Sequence, residues 1–397
     1  MTFSSELLLT VKQLAKDLLP DIISVRRHLH QYPELSFEEV KTSEFICDQL
    51  DKHGISYRKG WAGYGIVADI KVNNASKLIA LRADMDALPI QEANDVEYKS
   101  IFSDVMHACG HDVHMASLLG TAFILQKLKD QLPYSIRLIF QPGEEKLPGG
   151  ANLMIREGVL KNPIPASIIG QHVFPSLPAG KVGIRSGLYM ASADEIFITV
   201  SGKGGHGGMP NECTDTVLAA SQMIVSLQQV VSRRTNPATP SVLSFGKFNT
   251  EGGATNIIPD VIRIEGTFRT MDEVWRQRAH ELITNIATDI CKTYGTHCEV
   301  NIIKGYPCLI NQPDLTINVQ EIMVQFLGSE NVVELPLRMT SEDFAFYSQV
   351  IPACFYRLGT GNPQKEINSA VHTSTFDIDE NALAVGMGLM AWIAINQ

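Results

Sequence analysis

The segment Met106–Asp112 (MHACGHD) places a cysteine and a histidine two residues apart, with a glycine between them. The Cys109 thiolate and the His111 imidazole can both turn toward one metal ion, and Asp112 could orient the imidazole from behind. The alternative is a buried cysteine beside a histidine that caps a helix, because cysteine is among the most often buried residue types. Taken alone, the segment leaves both interpretations open.

Two adjacent glutamates, Glu144 and Glu145, follow the apolar segment SIRLIF and a Pro-Gly turn. Adjacent side chains cannot share one face, which favours one carboxylate that binds metal and a neighbour that faces a water. An exposed acidic turn is the usual explanation for such a pair. His172, at the end of the apolar segment IIGQHVF, and His372, near the chain end, add two imidazoles. Sites in open α/β sheets lie beyond the carboxyl ends of the strands, so we expect one shared edge.

Asp84 and Asp86, in RADMDALP, follow another apolar strand. Alternation places both on one side of that strand, so one or both could support the metal site. An aspartate after a strand is also often only a turn former or a helix cap. Four separate signals, namely the segment with Cys109 and His111, the Glu144–Glu145 pair, His172 and His372, meet at one predicted edge. Together they favour a metal site over unrelated polar residues.

The elements that must position these residues alternate between helix and strand in the first half of the chain. Apolar runs predict strands at 65–70, 77–83, 135–140 and the segment that contains His172. Helical spacing predicts helices at 7–30, 37–53, 113–128 and 151–157. Near-continuous apolar strands that alternate with helices predict an α/β fold with a mostly parallel sheet flanked by helices.

A different order of elements begins near residue 191. Strands at 195–200, 242–248, 261–268 and 298–303, with helices at 214–233 and 271–294, give the order βαββαβ of a ferredoxin-like domain. Helix and strand then alternate again after 312–313. We therefore predict the first part of a catalytic, metal-binding domain at 1–189, an inserted domain at 190–309 and the second part of the catalytic domain at 310–397.

Composition limits the partners and the compartment. The 397 residues carry 33 basic and 43 acidic side chains, and this net charge of −10 disfavours nucleic acid. The seven cysteines include no CxxC pair, which favours reduced thiols. The first residues lack the basic region of a signal peptide, and no stretch of about 18 apolar residues occurs. We expect a cytoplasmic protein without membrane or nucleic-acid partners.

Several motifs follow one another in an order that resembles a known family: RRHLH and PEL near the start, then RADMDALP, HACGHD, QPGEE, SEDF and HTSTF. They resemble the metallo-amidohydrolases of the aminoacylase and carboxypeptidase superfamily, or dinuclear zinc peptidase superfamily. Hippurate hydrolases, auxin-conjugate amidohydrolases and N-acetyl-diaminopimelate deacetylases belong to this branch. The resemblance extends over essentially the whole chain, including the inserted domain.

The resemblance implies roles for individual residues. Five positions match those that hold two divalent ions, namely Cys109, His111, Glu145, His172 and His372. Glu144 matches the general base that activates the attacking water, and Asp86 matches an aspartate that supports a nearby ligand. Asp84 stands where better-known zinc peptidases carry a histidine ligand. A thiolate favours zinc, cobalt or nickel, and carboxylate and imidazole also admit manganese.

The inserted domain resembles the family's lid and dimerisation domain. His206 matches a histidine that reaches the oxyanion of the tetrahedral intermediate, in many members from the opposite subunit. Asn256 resembles a substrate-contacting asparagine, and Arg269 could hold a substrate carboxylate in a bidentate pair. The alternatives are a flexible glycine loop around His206 and a surface role for Arg269.

The function that follows is hydrolysis of the amide bond of a small N-acyl-amino acid by a metal-dependent homodimer. A dipeptidase or carboxypeptidase using the same centre is the nearest alternative. A binding protein that has lost catalysis would lack a ligand or the base, yet Glu144 and all five ligand positions are present. A serine hydrolase is disfavoured, because the sequence has no GxSxG motif.

Overall fold

The computed structural model describes residues 5–73, 75 and 77–397 of the chain. Contacts divide it into two compact units. The first contains the chain up to Tyr189 together with Ile310–Pro336 and Asp343–Gln397, and the second contains Met190–Leu309 and Leu337–Glu342. In chain order the helices are α1 (Ser5–Gln31), α2 (Val40–Lys52), α3 (His111–Lys127), α4 (Gly150–Glu157), α5 (Thr216–Leu227), α6 (Glu273–Thr293), α7 (Pro313–Leu327), α8 (Ala345–Ser348) and α9 (Ala382–Ile395).

The strands follow the same chain order. They are β1 (Tyr57–Trp61), β2 (Gly65–Ile70), β3 (Leu78–Asp84), β4 (Ser135–Gln141), β5 (Ser167–Pro178), β6 (Val182–Ile184), β7 (Gly187–Met190), β8 (Asp194–Ser201), β9 (Gly205–His206), β10 (Ser241–Glu251), β11 (Ile257–Ile258), β12 (Val261–Thr270), β13 (His297–Lys304), β14 (Leu309–Asn311), β15 (Val332–Glu334) and β16 (Ala353–Gly361).

The first unit is built on a sheet in the order β1-β2-β4-β3-β5-β16-β6-β15. Its centre is parallel, since β3 pairs in parallel with β4 and β5, and β5 pairs in parallel with β16. Every residue of β3 and β16 is buried, which explains their continuous apolar composition. The strand β4 leads directly to the loop that carries Glu144 and Glu145. His172 lies within β5 rather than at the end of a strand, because the extended segment continues to Pro178.

Helices α1, α3 and α9 pack together in the core of the first unit. Residues 111–125 of α3 are all buried, so this helix is apolar on every side beyond its polar first turn. Trp392 on α9 is the largest fully buried side chain of the chain that the structure describes. The first turn of α3, which begins at His111, is therefore anchored by a central helix.

The second unit contains the antiparallel sheet β10-β12-β8-β13, covered by α5 and α6. The chain order βαββαβ with this strand order is the ferredoxin-like arrangement.

The predicted α/β class with a large, mostly parallel sheet flanked by helices is confirmed. One boundary is wrong, because the helix predicted at 214–233 ends at Leu227 and a π-helical turn over Val230–Arg234 follows it. In the described residues, no helix is both long and apolar enough to cross a membrane.

Candidate metal centre

The cysteine and the first histidine lie on the loop that enters α3. Gly110 occupies the N-cap of α3 with φ 79°, a left-handed conformation that glycine adopts without strain. A Cβ at this position would lie 2.6 Å from a methyl carbon of Val173, so a side chain would be excluded as well as strained. This glycine turn separates Cys109 from His111 and lets both side chains reach the same space.

One thiol, three imidazoles and one carboxylate converge around Cys109. Cys109 Sγ lies 3.4 Å from His172 Nε2 and 3.3 Å from His372 Nε2. Glu145 Oε1 lies 3.2 Å from His372 Nε2 and 3.9 Å from His111 Nε2. Two groups of potential ligands, each with its atoms within 4.8 Å of one another, share the thiol: Cys109 with His111 and His172, and Cys109 with Glu145 and His372.

The imidazoles of His111 and His172 are each oriented through Nδ1, which leaves Nε2 directed at the cluster. His111 Nδ1 lies 3.2 Å from Asp86 Oδ1, and its buried Nε2 has no hydrogen-bond partner among the described residues. His172 Nδ1 donates to the carbonyl of Val173 at 2.8 Å, which leaves the Nε2 lone pair free for a ligand. The His372 amide donates to the carbonyl of Ala108 at 2.7 Å.

His372 also has a left-handed backbone, with φ 63°. This conformation is strained for a residue with a side chain, and such strain concentrates at functional sites. About half of its side chain is exposed, whereas the side chains of His111 and His172 are buried. His372 is therefore the candidate ligand on the open side of the cluster.

Asp86 connects two parts of the centre. One carboxylate oxygen faces His111, and the other accepts from Ser36 Oγ at 2.6 Å and from the Glu145 amide at 2.9 Å. Burial opposes ionisation of this carboxyl, but the hydrogen bonds from His111 and Ser36 keep its pKa below the usual value. Asp86 thus fixes the ring of one candidate ligand and the backbone of another.

Asp84 has a different role from that of Asp86. Its carboxylate accepts from Arg82 Nη1 at 2.7 Å and lies 2.5 Å from His114 Nδ1. The amide of Val173 donates to His114 Nε2 at 2.8 Å, so both nitrogens of this ring are already used. Although Asp84, His111 and His114 have ligand atoms within 4.8 Å, His114 has no free lone pair for a metal.

The electrostatics of the cluster fit a bound cation. Burial, together with the carboxylates of Glu145, Glu144 and Asp84, raises the pKa of the Cys109 thiol well above its ordinary value. Burial alone would lower the pKa of His111, but the surrounding carboxylates raise it to about 10. A thiolate and a neutral imidazole at these positions therefore require a positive charge beside them, which a divalent ion supplies.

Glu144 is buried beside this cluster rather than exposed on a turn. Its side chain, with those of His111 and Glu145, brings three ligand-type atoms within 4.8 Å of one another. The preceding Gly143 has φ 61°, and its amide donates to Glu39 Oε1 at 2.8 Å. A Cβ on Gly143 would lie 2.4 Å from the ring of Phe37, so only glycine fits here. The loop that presents Glu144 and Glu145 is consequently held from two sides.

The residues predicted to contact substrate belong to the second unit. His206 on β9 pairs with Ile257 on β11, and the carbonyl of Asn256 accepts from the Gly207 amide at 2.8 Å. The Gly208 amide donates to His206 Nδ1 at 3.0 Å, so the proton of a neutral ring lies on the exposed Nε2. The structure thus brings His206 and Asn256 together.

Arg269 is not part of that pair. It lies near the far end of β12, eight residues beyond Val261, which corresponds to roughly 27 Å along a strand. Its Nη1 donates to the carbonyl of Met339 at 3.2 Å and to Ser341 Oγ at 3.4 Å. The Nη1 group of this guanidinium is accordingly directed at the segment 337–342, and burial lowers the pKa of Arg269.

Four residues that hold the centre in place were not singled out for this purpose by sequence. They are Ser36, Glu39, His114 and Asp343. His114 has a weak sequence signal, because it lies three residues after His111 on the same helix. Ser36 and Glu39 act on residues 50 and 104 positions away, respectively, and no local pattern shows such contacts.

Comparison with known proteins identifies the family. The model of peptidase family M20/M25/M40 matches residues 80–396. The chain belongs to this family. It is 40% identical over 363 residues to N-acetyl-L-cysteine deacetylase of Bacillus subtilis, covering 91% of this chain and 84% of that protein. It is 39% identical over 388 residues to thermostable carboxypeptidase 2 of Saccharolobus solfataricus, covering 97% of both chains.

A solved structure adds the metal chemistry of a relative. The crystal structure of the Bacillus subtilis YXEP protein, described as a dinuclear metal binding peptidase of the M20 family, aligns with a TM-score of 0.82. It is 34% identical and covers 96% of this chain and 98% of that one. The M20 chain described here is thus a metal-binding hydrolase, and its resemblance to metallo-amidohydrolases is confirmed.

Proposed function

We propose that this M20 hydrolase cleaves the amide bond of small N-acyl-amino acids, with Glu144 as the general base. The observation that carries the proposal is the convergence of one thiol, three imidazoles and one carboxylate in two groups that share the thiol, with a second buried carboxylate beside them. The ligand-type atoms come from Cys109, His111, Glu145, His172 and His372. This is a donor set for divalent ions.

The shared thiol supports two ions per chain. One would be held by Cys109, His111 and His172, and the other by Cys109, Glu145 and His372, so that the thiolate belongs to both groups. Thiolate and imidazole suit zinc, cobalt and nickel, and the carboxylate also suits manganese. Such ions, when bound, polarise the amide carbonyl and lower the pKa of a water molecule.

The residues of the chain then carry out the proton transfers. Glu144 accepts a proton from the attacking water and delivers it to the nitrogen of the leaving amine, so it returns to its ionised form after each cycle. The Asp343 amide donates to Glu144 Oε1 at 3.3 Å and holds one carboxylate oxygen in place. Asp86 keeps the His111 ring and the Glu145 backbone in register, so that the base and the ligands remain adjacent.

The deacetylase relative supports an N-acyl-amino acid as substrate. The carboxypeptidase relative, at 39% identity over 97% of both chains, favours a second candidate, which is cleavage of a dipeptide or of a C-terminal residue by the same centre. In both reactions the scissile bond is an amide next to a free carboxylate. Arg269 and Asn256 are the residues we propose for contacts with that part of the substrate.

We test the reaction by amino-acid release from a panel of N-acyl-amino acids and dipeptides: acetyl-methionine, acetyl-cysteine, acetyl-diaminopimelate, hippurate, an indole-acetyl conjugate and two dipeptides. The protein is stripped with a chelator and then supplied with zinc, manganese, cobalt or nickel. Metal-dependent release from the N-acyl compounds is the expected result. Release from dipeptides alone would favour the second candidate, and silence with every metal and substrate would refute the proposal.

We also propose a homodimer in a cytoplasmic setting, with the second unit as lid and dimerisation domain and His206 directed at the substrate oxyanion of the opposite subunit. The exposed Nε2 of His206 is a suitable donor for such a charge. Subunit exchange between two inactive variants, His206→Ala and Glu144→Ala, tests this role. Activity should return in the mixed dimers, whereas persistent inactivity after proven exchange would contradict it.

A further inference from the structure

Asp343 is placed where the chain returns to the first unit. The segment before it, Leu337–Glu342, packs with the second unit, and α8 begins only at Ala345. Asp343 therefore lies outside the regular elements, yet its amide donates to Glu144 Oε1 at 3.3 Å. A backbone donor at such a crossing point needs another anchor if it is to hold a carboxylate in one orientation.

The side chain of Asp343 supplies that anchor. Both oxygens are buried and accept from three directions: Arg82 Nη2 at 2.7 Å, Gln141 Nε2 at 2.9 and 2.7 Å, and the Ala151 amide at 2.9 Å. These donors lie on β3, at the end of β4 and in α4. Arg82 Nε also donates to Gln141 Oε1 at 2.9 Å, so the donors are fixed relative to one another.

We propose that Asp343 is a positioning residue: its clamped carboxylate fixes its own amide, and that amide orients the carboxylate of Glu144 toward the reacting centre. The inference rests on the proposed function, in which Glu144 is the base. The contact is a single hydrogen bond, but it acts on the group that transfers the proton. A misplacement of a reacting group by about 1 Å can reduce a rate by about 100-fold.

If the hydrogen bonds to Asp343 were purely structural, their loss would resemble the loss of the partly buried ion pair between Asp69 and Arg137. These residues lie opposite each other on β2 and β4 of the same sheet, and Arg137 Nε donates to Asp69 Oδ1 at 2.9 Å. The pair contacts neither Glu144 nor a candidate ligand in the contacts that the structure gives for it. Asp69→Asn is therefore a matched control that removes an equivalent charge without reaching the base.

The experiment compares four metal-loaded proteins, namely the wild type, Asp343→Asn, Gln141→Met and Asp69→Asn. The measurements are kcat, KM, metal content, Tm and the solvent deuterium isotope effect on kcat, with an N-acyl substrate that the wild type hydrolyses. Asp343→Asn places an amide NH2 against the donors of Arg82 and Gln141, so the hydrogen bonds that hold the Asp343 side chain are lost. Its kcat should fall about 10- to 100-fold with KM and metal content unchanged, and the isotope effect should rise as proton transfer becomes limiting.

Gln141→Met keeps Asp343 and removes two of its hydrogen bonds, so it serves as the milder variant if Asp343→Asn does not fold. Its kcat should fall about 3- to 10-fold, whereas Asp69→Asn should lower only Tm. Either clamp variant, folded and metal-loaded, with kcat and isotope effect equal to those of Asp69→Asn would overturn the inference. Retained activity in Glu144→Ala would instead remove the proposed function on which it rests.

Discussion

Glu39 gives a quantitative test of how the loop before Glu144 is supported. Its side chain is fully buried, Oε1 accepts from the Gly143 amide, and Oε2 has no hydrogen-bond partner among the described residues. Burial, followed by repulsion from Asp86, raises the pKa of this carboxyl from 4.5 to about 8. Glu39→Gln keeps an acceptor for Gly143 and replaces the protonated oxygen by a neutral NH2 group.

The sign of the pH effect follows from proton binding. Above pH 4.5 the unfolded chain releases the Glu39 proton, but the folded protein retains it up to about pH 8. Raising the pH across this window therefore destabilises the wild type, and above the window the loss is constant. Since one pKa unit corresponds to about 1.4 kcal/mol, the full effect is about 5 kcal/mol, of which about 4 kcal/mol falls between pH 5 and pH 8.5. Glutamine does not titrate, so the free energy of unfolding of the variant does not fall with pH through this position.

The assay is the difference in Tm between Glu39→Gln and the wild type, both loaded with the same metal, at pH 5 and pH 8.5. The variant should gain about 5 °C relative to the wild type between these two pH values. Glu38→Gln, at the exposed neighbouring position, is the control and should show no such gain. A Tm difference that is the same at both pH values would refute this account of Glu39.

Three further substitutions have defined outcomes. Asp86→Ala frees the His111 ring and the Glu145 amide, so metal affinity should fall about 10- to 100-fold in a competition titration with a chromogenic chelator; unchanged affinity would contradict the supporting role. Cys109→Ala should reduce bound metal per chain by mass spectrometry of the native protein, and an unaltered count would exclude the thiolate as a ligand. Trp392→Ala should cost about 3–5 kcal/mol in urea unfolding without changing the metal count.

The large sheet could be predicted because its central strands are buried on both faces. Such strands read as continuous apolar runs, and the expected strand at 135–140 differs from β4 by one residue. The short strands β6 and β15 carry no comparable signal, since three residues cannot establish a period. The helix after the glycine-rich loop was overextended because its apolar spacing continues past Leu227 into the π-helical turn.

The candidate ligands could be predicted from local signals: His111 starts α3, and Glu145 lies in the loop after β4. His172 was expected at the end of its strand, but it lies within β5. The residues that orient these ligands could not be predicted, since their contacts join segments distant in the sequence. Asp84 illustrates the difference: its sequence position indicated a link to the metal site, but its partner His114 comes from α3 and meets it only through the packing of α3 on β3. The clamp on Asp343 likewise joins residues separated by 202 and 261 positions.

The most direct test of the central claim is a titration of the metal-stripped protein with a divalent ion while bound metal and N-acyl-amino acid hydrolysis are followed together. The account predicts no activity without metal, recovery that saturates as the two groups around Cys109 fill, and Glu144→Ala protein that binds the same amount of metal yet remains inactive. Full hydrolysis by the stripped protein, or by Glu144→Ala with metal bound, would contradict it.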